Sequence, residues 1–213
     1  MFEGLVSGFL PDFKVVCQHR LAKPLVSVLA LLPIGYLVWA AMLDQLGANP
    51  AEALVRGTGD WSLRFLCLVL AITPWRVLSG NPALARFRRM LGLLVYFYVV
   101  LHLLSYSVFD MGLDLTDIAK DISKRPFILV GFAAFVILSA LALTSFNRAI
   151  RALGGQNWRR LHQSVYIVAG LAILHFYWMR AGKNDFAEVA VYAAVLAILL
   201  GWRLSRFINK NSL

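Results

Sequence analysis

Six almost uninterrupted apolar stretches divide the chain, at about 25–43, 63–78, 90–109, 127–146, 161–179 and 186–202. A helix rises about 1.5 Å per residue, so about 20 such residues cross a hydrocarbon core about 30 Å thick. The pattern predicts an all-α polytopic membrane protein, a bundle of six transmembrane helices forming a single domain over residues 1–213. The second stretch is the shortest and carries Arg64 at its edge, where the long side chain can snorkel to the headgroups. All six tryptophans (Trp39, Trp61, Trp75, Trp158, Trp178 and Trp202) fall near the ends of these stretches, where an amphipathic ring is most stable. Composition agrees: 60% of the residues are hydrophobic and 15% charged, against about 25% charged in soluble proteins.

Charge predicts the orientation. Fourteen of the 21 basic residues lie in the N-terminal segment, in alternate loops (Arg76 to Arg89, Arg148 to Arg160) and at the C-terminus, while nine of the eleven acids lie in the other loops. By the positive-inside rule both termini are expected in the cytoplasm. The net charge of +10 then sits where anionic lipid headgroups attract it, and no nucleic acid is needed to explain it. The opening MFEGLVSGFLPDFK lacks the charged start and small-residue cleavage site of a removed signal peptide. Cys17 and Cys67 fall at different depths and are not expected to pair. There is no GxGxxG after a strand and no Walker loop, so no nucleotide-binding domain is expected.

Of the four histidines, His19 lies in the basic N-terminal segment, while His102, His162 and His175 lie in the spans. An intramembrane imidazole can simply bond a neighbouring helix, but ionisable groups at that depth are costly and often functional. By helix rise, His102 lies about 20 Å beyond Arg89 and His175 about 22 Å beyond Arg160, while His162 is only about 3 Å beyond Arg160. His102 and His175 therefore reach one outer level. A bare zinc or copper site would want further ligands there, whereas haem needs only two axial ligands and an apolar, aromatic surround. Tyr96, Phe97, Tyr98, Tyr106, Tyr166, Phe176 and Tyr177 offer one, and Gly92 and Gly170 offer close approach. His162 lies about 140° round an ideal helix from His175, so the two share a face only if the helix bends, for which Gly170 is the candidate hinge. The place on the third span that would pair with His162 holds Arg88 and Arg89.

These features converge on a family. RRMLGLLVYFYVVLHLLSY (Arg88 to Tyr106), SKRPFILVG (Ser123 to Gly131) and NWRRLHQSVYIVAGLAILHFYW (Asn157 to Trp178), with LGANPAEALVRGTGDWSLRFLCLVLAITP before them, closely resemble the MsrQ (YedZ) family, the haem-binding membrane subunits of the periplasmic methionine sulfoxide reductase system. The histidine spacing alone fits the wider ferric reductase-like transmembrane group. The resemblance implies a b-type cytochrome of the cell inner membrane that uses haem b and FMN. It would carry electrons from the quinone pool or a cytosolic flavin reductase to a periplasmic molybdenum-cofactor methionine sulfoxide reductase (MsrP-like), which repairs oxidised proteins and holds the catalytic site. His102 and His175 would be axial ligands of an outer haem, and His162 a ligand or hydrogen-bond partner of an inner redox group. Arg88 and Arg89 match the family's basic pair, suited to a haem propionate, a flavin phosphate or an acidic donor surface.

Other classes predict other features. A transporter or proton channel predicts paired carboxylates or broken helices at midplane, and the six apolar stretches hold no Asp or Glu away from their ends, Glu188 standing at the edge of the sixth. A ferric reductase-like carrier for a different partner would share the histidines. A passive anchor would keep them only as structural hydrogen bonds, and would be colourless.

Overall fold

The computed structural model describes residues 13–182 and 184–211. Most of the opening segment read above as lacking a signal peptide lies outside them. The described chain is helical: α1 Phe13–Gln18, α2 Ala22–Met42, α3 Pro50–Leu78, a 3₁₀ segment Pro82–Phe87, α4 Arg88–Ser105, a widened π-turn Tyr106–Asp110, α5 Leu115–Lys124, α6 Pro126–Leu143, α7 Asn147–Leu153, α8 Gly155–His162, α9 Val165–Ala181 and α10 Ala187–Asn211. Among the described residues six helical segments are long and apolar enough to cross a membrane, one for each apolar stretch. They make this a multi-pass membrane protein. Its lipid-facing surface is visible on α2, where Leu25, Leu29, Leu32 and Tyr36 follow one another along the helix, each more than half exposed.

The largest departure from the apolar pattern is α3. Hydropathy starts this span at 63, but the helix begins at Pro50, because Asn49 accepts the Glu52 N–H at 3.1 Å, Pro50 stands in the first turn and Glu52 pairs with Arg56 one turn on. At about 43 Å it is longer than the hydrocarbon core, so its polar first turns project beyond the lipid tails. Residues 115–124, which have no apolar run, form the amphipathic α5. Its cap, Asp114, accepts from Thr116 and Asp117.

Two antiparallel pairs, α3 with α4 and α6 with α9, make the most extensive contacts, and α4 against α6 joins them. The buried core runs through these helices, with Phe65, Leu66, Leu70, Leu91, Val95, Tyr98, Leu138 and Val168 among its members. The peripheral α2 is fastened by Tyr98, which is fully buried. Its hydroxyl donates to the Ala30 carbonyl at 2.7 Å and accepts from the Ile34 N–H at 3.3 Å. Helix α10 packs on α3 and α9. The loops divide the bundle into a basic end, with the foot of α4, α7 and α8, and an acidic end, with the start of α3, α5 and the α9–α10 turn.

Candidate functional site

His102 sits near the acidic end of α4, just before the π-turn, and His175 near the same end of α9. Their rings are 6.1 Å apart between centroids and nearly perpendicular, at 80°. The shared depth expected from helix rise is therefore realised as direct apposition. Each ring is also held from behind. Nδ1 of His102 is 2.8 Å from the Val55 carbonyl on α3, and Nδ1 of His175 is 2.6 Å from the Phe127 carbonyl on α6. A carbonyl only accepts, so Nδ1 carries the proton in each ring, and a neutral imidazole then keeps its lone pair on Nε2.

The two supports are built alike. Four residues after each accepting carbonyl stands a glycine, Gly59 on α3 and Gly131 on α6. A Cβ at 59 would lie 3.0 Å from Cε1 of His102, and one at 131 only 2.8 Å from Nδ1 of His175. The missing side chains let each imidazole lie against the neighbouring helix. Gly92 and Gly170, the glycines singled out from the sequence, have nothing within 4 Å of a Cβ position and make no such seat. The first seat escaped sequence reading because Val55 and Gly59 lie among Glu52, Arg56 and Asp60, which hydropathy reads as a loop.

The pair suits one particular kind of ligand. No cluster of three or more His, Cys, Asp or Glu placed to hold a metal occurs among the described residues, so a metal here needs a ligand that supplies its remaining positions. A metal–imidazole bond of about 2.0–2.1 Å on either side of one ion puts the two nitrogens about 4 Å apart and the ring centres about 6 Å apart. The 6.1 Å spacing matches this, and the fixed Nδ1–H tautomers leave the required lone pairs. The residues fit a haem.

The aromatic surround is more dispersed than the sequence implied. Tyr98 serves α2, Tyr96 stacks on Phe135, Tyr177 stacks on Phe186, and Tyr106 donates to Asp121 of α5 at 2.7 Å. Phe97 is exposed, while Phe176 is buried next to His175. Beyond Phe176, Arg180 pairs with Asp185 at 3.2 Å and Glu188 at 2.6 Å, closing the acidic end of α9 against α10.

His162 lies at the opposite, basic end, and the structure does not bring it to the other two. It closes α8, stacked on Trp158 at 4.1 Å between centroids, with Nε2 3.2 Å from the Thr144 hydroxyl. The helix is interrupted between His162 and His175 at Gln163 and Ser164, between α8 and α9, and runs unbroken through Gly170. Arg88 and Arg89 part company here: Arg89 donates to Asn147 at 2.6 Å, tying α4 to α7, while Arg88 lies within electrostatic reach of His162.

Comparison with known proteins bears on the same residues. The family described as "Ferric reductase like transmembrane component" matches residues 58–173, which contain Gly59, His102, Gly131 and His162 and stop just short of His175. The chain is also similar to proteins named protein-methionine-sulfoxide reductase heme-binding subunit MsrQ. It is 68% identical over 186 residues to that of Polaromonas naphthalenivorans, covering 87% of this chain and 85% of the other. With the relative from Ralstonia nicotianae it shares 52% over 195 residues, covering 92% and 90%, and with that from Herminiimonas arsenicoxydans 50% over 183 residues, covering 86% and 84%. No solved structure matches.

Proposed function

Because the chain belongs to the ferric reductase-like transmembrane family, and within it to the MsrQ subunits, we propose that it is a b-type cytochrome serving a methionine sulfoxide reductase. It carries electrons across the inner membrane from the quinone pool or a cytosolic flavin reductase to a periplasmic molybdenum-cofactor partner, where the sulfoxide is reduced. Both termini and the basic end face the cytoplasm, and the acidic end faces the partner. Residues 1–213 act as one transmembrane domain, with membrane lipid as its solvent and no nucleic acid as a partner.

The observation that carries this reading is the apposed pair His102 and His175, each with Nδ1 fixed on a carbonyl of a different neighbouring helix. Haem b bound between them would supply one-electron transfer, with no coordination position left open for oxygen. The chain's own contribution is to hold both tautomers, to keep the imidazoles at one spacing and to exclude water with the surrounding helices. From this level the cytoplasmic arginines are about 20 Å away by helix rise. A second carrier, haem or FMN, beside His162 shortens that path, with Arg88 receiving its negative charge.

The absorption spectrum of the purified protein tests the reading. Wild type should show a Soret band and sharp reduced bands of a low-spin haem, and His102→Ala or His175→Ala should lose the six-coordinate state, while His162→Ala keeps it. A colourless wild type expressed with haem available would make the chain a passive anchor. A low-spin spectrum surviving either outer substitution would remove the ligand assignment.

A further inference from the structure

The basic end holds an arginine, Arg203, that the sequence shows only as one of the C-terminal basic residues just past the sixth apolar stretch. Arg203 lies within α10 and is partly buried. Its Nη2 reaches α3 and donates to the carbonyl of Leu70, and its Nη1 donates to the Leu199 carbonyl at 2.9 Å. The guanidinium stands over the Tyr166 ring, 5.8 Å from its centroid. The Leu70 carbonyl is open because Pro74, four residues on, has no N–H to offer it. That carbonyl lies about 12 Å back along α3 from its end at Leu78, inside the bundle.

An open carbonyl asks only for a neutral donor, yet this one receives a full positive charge at a depth where charge is costly. Arg88, exposed at the foot of α4, acts electrostatically on Arg203 as well as on His162. None of the ion pairs found among the described residues includes either arginine. The carboxylates of the described residues, Asp44 through Glu188, all belong to the acidic half of the bundle. None of the described carboxylates therefore supplies a counter-charge here. A guanidinium has five N–H donors; Arg203 spends two on these carbonyls and also bonds the Tyr166 side chain, which leaves the remainder of its fork for an anion.

We infer that Arg203 and Arg88, above the Tyr166 ring, form a receptor for one anionic substituent, a carboxylate or phosphate, of the redox group beside His162. The inference rests on the reading that a second carrier lies there. Arg203 is a positioning residue, because it holds the carrier's edge and touches neither the iron nor a reacting atom.

The test uses the full-length chain in lipid nanodiscs, with haem counted by pyridine haemochromogen and flavin by the fluorescence of acid-released FMN. Wild type should hold two redox groups per chain. Arg203→Gln should retain the inner one about tenfold less well, as expected for one lost charge-assisted pair, and keep the outer low-spin haem. A second variant separates the anion from the open carbonyl: Pro74→Ala restores the missing N–H, and Pro74→Ala combined with Arg203→Gln should still lack the inner group. Recovery in that double variant would mean that Arg203 serves Leu70 alone and would overturn the inference. Full retention in Arg203→Gln, with an unchanged reduction midpoint, would overturn it too, as would loss of a tightly bound anionic phospholipid in place of the redox group. Should Arg203→Gln lose the outer haem as well, Arg203→Lys decides, since it keeps the charge and a donor but not the fork: weakened retention supports the receptor and wild-type retention overturns it. A wild type with only one redox group would instead defeat the second-carrier reading itself.

Discussion

At residues 59 and 131 the absence of one methyl group decides how near an imidazole comes to a helix. Alanine favours a helix over glycine by about 1 kcal/mol, so Gly131→Ala should not weaken α6. Its Cβ would, however, lie 2.8 Å from Nδ1 of His175 and push the ring off the Phe127 carbonyl. The expected outcome is a protein as heat-stable as wild type without cofactor but with much of its low-spin haem lost. Gly59→Ala should do the same more mildly at 3.0 Å, and Gly170→Ala, with open space around it, should change nothing. Haem content and thermal unfolding measured together check all three, and an unaffected low-spin spectrum in Gly131→Ala would remove the seat from the account.

At the scale of elements, attachment and length matter more than apolar content. Helix α2 exposes much of its surface and is held by the Tyr98 hydroxyl on Ala30 and Ile34. Tyr98→Phe removes that bond and leaves a buried carbonyl without its extra partner, which should cost about 1–3 kcal/mol. The loss should appear as a lower unfolding temperature and faster amide exchange in α2 around Ile34, with the outer haem spectrum unchanged. Equal exchange in wild type and variant would show that packing alone holds α2. The existence of all six spans was legible from hydropathy, because about 20 apolar residues have few other uses. The first four turns of α3 were not, because their helix rests on the Asn49 cap and the Glu52–Arg56 pair, and it is these turns that present Val55 and Gly59 to His102.

At the scale of the whole molecule, charge is sorted to the two ends, with consequences for electron entry. If the basic end receives an anionic donor, Arg88→Gln with Arg89→Gln should slow haem reduction by the cytosolic donor several-fold at low salt and leave reduction by dithionite unchanged. The wild-type rate should fall towards the variant's as salt rises to physiological strength, where the Debye length is about 8 Å. Equal rates across that range, at equal cofactor content, would reduce the pair to topology and to the structural bond between Arg89 and Asn147. Arg88→Gln alone should carry most of the effect, because Arg89 is already engaged. Orientation has its own measurement: a C-terminal fluorescent fusion should glow in cells and a C-terminal alkaline phosphatase fusion should be inactive, and the reverse pair of results would invert the bundle.

The sequence alone determined the number of membrane spans, the segregation of charge and the common depth of His102 and His175, since each depends only on length, composition and a constant rise per residue. Tertiary structure decided which neighbours those histidines have. Val55 and Phe127 offer carbonyls that no side-chain pattern encodes, and Gly59 and Gly131 matter only because a particular helix lies against them. The break that sets His162 apart from His175 falls at Gln163 and Ser164, neither a proline nor a glycine. Arg203 reads as the end of an apolar helix until α10 packs on α3 and brings it to the carbonyl that Pro74 leaves open. Periodicity specifies what a helix is made of and how long it runs, whereas the partner of each side chain depends on how separate helices rotate and pack, which is a property of the assembled bundle.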